Sequence, residues 1–165
     1  MSIDHAPPNS PPSAPHGAAA VADVRVSTGR LHADSVAEFE SYARNGGSVL
    51  LVPEPGDELA EALAGAGISA PLPHTEWFVT LASRPEAVRL DGEVPVTTSL
   101  LTFDPFDPDV DVAATTSVRF AHHPTLLVRR VGAGRVVTIG MSIGAVDVHP
   151  SLGPYLRRLL RNDFP

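Results

Sequence analysis

Residues 31–52, LHADSVAEFESYARNGGSVLLV, decide the fold class of this chain. Apolar residues recur there at spacings of three and four, which places them on one face of a helix. These residues are Val36, Phe39 and Ala43. Asp34 or Ser35 can cap the start of the helix, and Gly46-Gly47 can end it, since glycine adopts left-handed backbone without a Cβ penalty. The continuous apolar run at residues 49–52 then predicts a strand covered on both faces.

The same alternation of strand and helix continues on either side of this stretch. Residues 22–27, ADVRVS, alternate polar and apolar side chains, which predicts a strand. Asp57 is placed to cap a second short helix, with Gly65 and Gly67 near its end. The resulting β-α-β-α order favours a parallel sheet flanked by helices, in which ligands lie beyond the carboxyl ends of the strands.

A hairpin is the clearest local signal in the C-terminal part. Residues 125–131 and 135–139, TLLVRRV and RVVTI, are two apolar, β-branched runs joined by the short loop Gly132-Ala-Gly134, as in a β-hairpin. The chain then closes with an amphipathic helix whose inward face carries four leucines. They are Leu152, Leu156, Leu159 and Leu160.

The remaining segments set the domain boundaries. Residues 76–81 and 87–90 predict short strands, and residues 101–111, rich in Pro and Asp, predict a long irregular excursion. Residues 1–20 contain five prolines and few apolar groups, so they predict a disordered tail. We therefore expect one α/β domain over residues 21–165.

Composition excludes several kinds of chemistry. The 165 residues contain no cysteine, which excludes disulfides, thiolate nucleophiles and iron–sulfur clusters, and no lysine, which excludes a Schiff-base mechanism. No metal and no cofactor is predicted. There is neither an apolar run of about 20 residues nor a signal-peptide pattern at the start, so a cytoplasmic protein without membrane contact is expected.

Charge is distributed unevenly along the chain. The net charge of −7 argues against nucleic acid as a partner. Residues 1–118 hold 5 arginines against 17 acidic residues (−12), and residues 119–165 hold 7 against 2 (+5). The two segments can pair with each other within one molecule. Alternatively, the asymmetry serves a homo-oligomer, a partner subunit or an anionic ligand, for which Arg157 and Arg161 lie four apart on one helix face.

Three of these pieces, in this order, carry a family resemblance. Residues 31–52, the hairpin LLVRRVGAGRVVTIG and the closing helix resemble the class I glutamine amidotransferase-like superfamily. Within it they resemble the ThuA-like (trehalose utilisation) proteins and the related domains attached to glycoside hydrolases. The resemblance implies a flavodoxin-like layered α/β fold with a mostly parallel sheet, and a place in carbohydrate metabolism.

The chain departs from that family at the positions that carry its chemistry. Where the strand after Gly-Gly typically ends in a histidine, this chain has Pro53 followed by Glu54. Where the family often has Leu-Gly-His after the second hairpin strand, it has Met141-Ser142-Ile143. Glutaminase activity needs a nucleophilic cysteine and is excluded here. These departures imply a reduced member whose ancestral catalytic groups are lost.

Polar side chains that follow predicted strands are the candidates for a site, because ligand groups collect there in open α/β sheets. They are Glu54, Asp57, Ser142, Asp147 and His149. His149 can act as a general acid or base beside Asp147 or Glu54. The same histidine also fits an ordinary helix lead-in, in which Ser151 caps the terminal helix.

Two other clusters are weaker candidates. Asp107, Asp109 and Asp111 have the alternate spacing of a calcium loop, but the glycine and the distal glutamate of such a loop are missing. His122 and His123 are neighbours on an extended segment, where adjacent side chains point to opposite faces, so they are not expected to share a metal.

Three functions fit these residues. The first is a non-catalytic ThuA-like domain that acts by self-association or by binding a small sugar-like or anionic ligand. The second is a carbohydrate-processing enzyme that uses His149 and a carboxylate. The third is a structural subunit of a glycosidase-like assembly.

Overall fold

The computed structural model describes residues 23–82 and 90–162, and the predicted tail over residues 1–20 lies outside these ranges. Its strands and helices, in chain order, are β1 (Val24–Thr28), α1 (Ala33–Arg44), β2 (Ser48–Val52), α2 (Glu58–Ala64), β3 (Ala66–Ile68), β4 (Leu72–Ala82), β5 (Leu90–Leu100), β6 (Phe103–Pro105), β7 (Val110–Val118), β8 (Ala121–Val131), β9 (Gly134–Ile139), α3 (Ile143–Asp147) and α4 (Leu152–Arg161). No helix in these ranges is long and apolar enough to cross a membrane.

Seven strands form one mixed sheet in the order β1-β2-β9-β8-β7-β4-β5, and β3 pairs with β6 in a small second sheet. The α/β layered fold is confirmed. The parallel arrangement holds for β1, β2 and β9, while every pairing from β9 to β5 is antiparallel. The antiparallel half arises because β4, β5, β7 and β8 follow one another without the helical crossovers that parallel neighbours require.

Helices cover both faces of the parallel half, which explains the continuous apolar run of β2. Val49 and Leu51 pack in the core cluster that contains residues of α1 and α2, while Leu50 packs on the other face with leucines of α4. Alternate side chains of one strand thus enter two different cores. The prediction of a doubly buried strand is confirmed, and the terminal helix buries its predicted leucine face.

The hairpin between β8 and β9 is also confirmed. Val131 pairs with Gly134, so the loop has two residues, and Gly132 holds its first position with φ +60. A glycine with positive φ at this place is typical of a type II′ turn. Gly134 itself has no positive φ; it is needed because the backbone of the α1–β2 connection comes close to it.

Two local predictions are wrong. Helix α1 has His32 at its N-cap with no side-chain cap, so neither Asp34 nor Ser35 has that role; both lie inside the first turn. The excursion over residues 101–111 contains β6 and the start of β7, because Phe103 and its neighbours pair with β3 and β7 pairs with β8. Of the strand predicted at 87–90, only Leu90 lies within the described residues, as the first residue of β5.

Candidate functional site

A cleft lies at the carboxyl ends of β2 and β9, the edge where ligands bind in open α/β sheets. Its volume is about 270 Å³. We call it the β2–β9 cleft. Its lining residues are Val52, Pro53, His74, Thr98, Ser99, Leu101, Ile139, Gly140, Met141 and Ser142.

The two walls of the β2–β9 cleft come from strands that are far apart in the sheet. β2 and β9 supply one wall, and the start of β4 with the end of β5 supplies the other, although β8 and β7 lie between them in strand order. The β4–β5 pair has register shifts between Leu72 and Thr75 and between Thr80 and Leu81. Such irregularities increase local twist. The sheet therefore curls enough to bring the open end of this hairpin beside the carboxyl edge.

Gly140 shapes the floor of the cleft. A Cβ at this position would lie 2.2 Å from the carbonyl oxygen of Leu101, so only glycine fits. The amide of Leu101 donates to the carbonyl of Gly140 at 2.7 Å, and the amide of Gly140 donates to the carbonyl of Thr125 at 2.8 Å. These bonds fix the end of β9 against the segment that follows β5.

Hydroxyl and imidazole groups provide the side-chain polarity of the cleft. Thr98 is buried and its hydroxyl donates to the carbonyl of Ser99, whereas Ser99 and His74 are exposed. Ser142 is exposed at the N-cap of α3, where its Oγ accepts from the amide of Ala145. No carboxylate or guanidinium is among the residues that line the cleft. Such a surface favours hydrogen bonding to a neutral ligand.

Two of the candidate residues that follow strands hold the backbone in place. Asp57 is only 4% exposed, and its carboxylate accepts from the amides of Leu31, Leu59 and Ala60 at 2.7, 3.1 and 3.2 Å. It caps α2, as predicted, and ties that helix to the segment after β1.

His149 has the same kind of role at the start of α4. Its Nδ1 accepts from the amides of Ser151 and Leu152 at 3.1 and 3.3 Å. Ser151 occupies the N-cap position but makes no side-chain cap. The helix lead-in is therefore present with a different capping group: the imidazole of His149 satisfies the amides of Ser151 and Leu152.

Among the residues that the structure describes, the two candidate carboxylates, Glu54 and Asp147, are not bonded to His149. Asp147 is exposed and pairs with Arg157 at 3.5 Å. Glu54 is exposed beyond the end of β2, with its Oε1 near Gly29 at the end of β1. Neither makes a hydrogen bond or ion pair with His149 within the described residues. Of the five candidates, Ser142 alone lines the β2–β9 cleft.

The aspartates at residues 107–111, whose spacing resembles that of a calcium loop, make hydrogen bonds and ion pairs within the protein. Asp107 accepts from the Asp109 amide and from Arg129, whose guanidinium also donates to two carbonyls at the end of α2. The hydrogen bond from the Asp109 amide and the charge of Arg129 lower the pKa of Asp107. Within residues 23–82 and 90–162 there is no group of three His, Asp or Glu side chains arranged to hold a metal ion.

Sequence reasoning missed Thr98 and Ser99. The available signal was the alternation over residues 93–100, EVPVTTSL, which has period two and marks β5. A second cavity, of about 650 Å³, was missed as well; it has both His122 and His123 among its lining residues.

Comparisons with known proteins support the fold. No family model and no curated protein matches the chain. Among solved structures, a ThuA-like protein from Bacteroides uniformis ATCC 8492 matches 86% of this chain and 67% of its own, with 17% identity and a TM-score of 0.57.

Two larger carbohydrate-active proteins contain a similar unit. An exo-β-1,4-mannosidase from the Opitutaceae bacterium strain TAV5 matches 78% of this chain with 21% identity and a TM-score of 0.51. A carbohydrate deacetylase, Agd3, matches 80% with 12% identity and a TM-score of 0.59. The chain spans 21% and 22% of their respective lengths. At these identities the likeness concerns the fold alone: this chain has a flavodoxin-like α/β fold, similar to that of the ThuA-like protein.

Proposed function

We propose that this chain is a non-catalytic ThuA-like domain that binds a small, neutral, hydroxyl-rich ligand in the β2–β9 cleft. The observation that carries the proposal is the lining of that cleft: three hydroxyls and one imidazole, with no carboxylate or guanidinium. Its volume of about 270 Å³ lies just below the range of sites for drug-sized ligands, which suits a ligand the size of one sugar ring.

The ligand class follows from the groups that line the cleft. Hydroxyls both donate and accept hydrogen bonds, so they match the hydroxyls of a sugar, while the partly exposed Val52 offers apolar contact to its ring carbons. An anionic ligand is less well matched, because no arginine lines the cleft. The sugar-processing names of the mannosidase and the deacetylase point to the same class of ligand.

Titration calorimetry with mannose, galactose and the anionic sugar glucuronate tests the proposal. We expect a neutral sugar to bind and glucuronate to bind more weakly or not at all. Ser99→Tyr should fill the cleft and abolish binding, whereas Thr97→Tyr, also exposed on β5 but outside the cleft, should bind as the wild type does. Absence of binding at millimolar sugar, or equal binding by both variants, would contradict the proposal.

The alternative function is catalysis by His149 together with a carboxylate. Two backbone amides donate to Nδ1 of His149, and in the part of the chain that the structure describes neither Glu54 nor Asp147 makes a hydrogen bond or ion pair with the ring. A general acid or base contributes about 10²- to 10⁴-fold to a rate. Glycoside turnover that fell by this amount in a folded His149→Ala variant would overturn the non-catalytic assignment.

The third function, a subunit of a larger glycosidase-like assembly, has one supporting observation. The chain corresponds to about a fifth of the mannosidase and the deacetylase, so a unit of this size also occurs within larger proteins. Purification from the native source under mild conditions tests it. A stoichiometric glycosidase chain in the purified complex would support this function, and copies of this chain alone would contradict it.

A further inference from the structure

The tip of the β7–β8 hairpin has an unusual backbone for its sequence. Val118 pairs with Ala121, which leaves Arg119 and Phe120 as a two-residue loop. Both have positive φ, +48 and +69. Two positive φ values in such a loop are typical of a type I′ turn, in which Asn-Gly is strongly preferred. Bulky side chains rarely adopt this backbone, so the residues at the tip are not those that would best stabilise the turn.

Phe120 is completely exposed at this tip, with a relative accessibility of 103%. Its ring therefore contributes no burial to the fold of its own molecule. A large aromatic side chain that is held in water on a strained turn is typical of an anchor for a protein interface, since such anchors supply most of the binding energy.

A cavity lies two residues further along β8. The cavity of about 650 Å³ begins at His122 and is lined by the apolar residues Phe103, Pro105 and Pro124. Its volume falls within the range of pockets that bury drug-sized molecules, so a phenyl ring fits. We call it the β6–β8 cavity. The exposure of Phe120 shows that the ring does not enter the cavity of its own molecule.

Charge at the two places is complementary. Arg119, beside the anchor, makes no ion pair within the described residues, and the β6–β8 cavity has Glu61 and Asp104 in its lining with no arginine or lysine. The tip opens the positively charged segment 119–165, whereas both carboxylates belong to the negative segment 1–118. The cavity is thus large enough for the phenyl ring of Phe120, and its carboxylates complement the charge of Arg119.

We propose that the protein forms a two-fold dimer in which Phe120 of each copy enters the β6–β8 cavity of the other and Arg119 faces Asp104 across the interface. Along β8, the anchor is separated from the lining residues His122 and Pro124 by two to four residues, or roughly 7–13 Å at the rise of a strand. A two-fold axis between them makes both insertions at once, as an isologous interface requires.

Sedimentation velocity of the full chain between about 1 and 100 µM tests this dimer. We expect a concentration-dependent dimer for the wild type and at least about 30-fold weaker association for Phe120→Ala, the loss of one hot-spot anchor. Val148→Ala, which truncates another apolar side chain that is 82% exposed, should associate as the wild type does. A wild type that stays monomeric, or a Phe120→Ala dimer of unchanged affinity, would overturn the proposal.

Two further sets of variants distinguish an effect on the dimer interface from an effect on folding. Arg119→Asp and Asp104→Arg should each weaken the dimer, and the double variant should regain at least part of the lost affinity. Replacing the tip with Asn-Gly (Arg119→Asn with Phe120→Gly) should raise the melting temperature of the monomer while it abolishes dimerisation. Failure of the double charge variant to recover, or a dimer that persists with the Asn-Gly turn, would place the interface elsewhere and refute the assignment.

Discussion

Gly134→Ala is a substitution for which the structure predicts a large loss of stability from a single methyl group. The added Cβ would lie 2.1 Å from the carbonyl oxygen of Gly47 and 2.4 Å from that of Ala43. Real Cβ atoms essentially never approach below 3.0 Å, so the Gly47 carbonyl must move by at least about 0.9 Å and the Ala43 carbonyl by about 0.6 Å. They belong to backbone at the end of α1 and the start of β2, so no side-chain rotation can relieve the contact.

The energetic cost has two parts. Overpacking costs about 1–3 kcal/mol, and displacing Gly47 weakens the hydrogen bond that its carbonyl accepts from Arg135, which adds about 0.5–1.5 kcal/mol. We therefore expect a free energy of unfolding lower by about 3 kcal/mol. For a chain of this size that corresponds to a melting temperature lower by about 6–12 °C.

Urea denaturation followed by circular dichroism measures this change, and Gly144→Ala is the matched control. Gly144 lies in α3, has no positive φ, and has no heavy atom within 4 Å of the place where its Cβ would be. There alanine should stabilise by about 0.5–1 kcal/mol, because it favours helix and restricts the unfolded chain. If Gly134→Ala unfolded within about 0.5 kcal/mol of the wild type, the close approach between α1 and β9 would be refuted.

Three further changes can be measured with the same denaturation assay. Asp107→Asn should lower stability by about 1–3 kcal/mol at pH 7, because Arg129 loses the closer of its two charged partners among the described residues and keeps Glu40 at 4.0 Å. The pKa of Asp107 is lowered in the folded state, so this contribution is present above about pH 4 and is lost as the pH falls through the folded value. Wild type and variant should therefore converge in acid. Tyr155→Phe should lower the free energy of unfolding by about 1–3 kcal/mol, because the Tyr155 hydroxyl donates to two buried carbonyls. Burial also raises the pKa of Tyr155, so the wild type should lose stability above about pH 10, and the variant should not show this loss. His149→Ala should lower the free energy of unfolding by about 1 kcal/mol because a helix cap is lost, and His149→Asn should recover most of that stability. For Asp107→Asn, Tyr155→Phe or His149→Ala, an unchanged stability would contradict the contact that the substitution removes.

Local signals in the sequence predicted those elements whose pattern is complete within one segment. The apolar run of β2, the capping of α2 by Asp57 and the β8–β9 hairpin each depend on contacts between near neighbours or on a single periodicity; only the hairpin loop is one residue shorter than the predicted Gly132-Ala-Gly134, because Gly134 begins β9. The cap of α1 failed because several polar residues stood in a row, and propensity cannot decide which of them leaves the helix.

Strand pairing across long distances was not accessible in this way. β4 and β5 are each 11 residues long, but the sequence between them gives no tight turn signal that would predict their pairing. The β2–β9 cleft depends on that pair, since His74 and Ser99 reach the carboxyl edge only through the curl of the sheet. Sequence position after a strand therefore identified Ser142 as a cleft residue but not the opposite wall.

The sequence by itself determined the α/β class, the hairpin, the amphipathic closing helix and the exclusion of cysteine chemistry, because composition and short-range periodicity are properties of consecutive residues. Only the tertiary structure decided what the polar residues do. Asp57 and His149 satisfy free amides at helix starts, and Phe120 is exposed on a strained turn beside a cavity. These roles depend on which backbone groups lie within hydrogen-bonding distance and on how the sheet curls, and both are fixed by contacts between residues far apart in the chain.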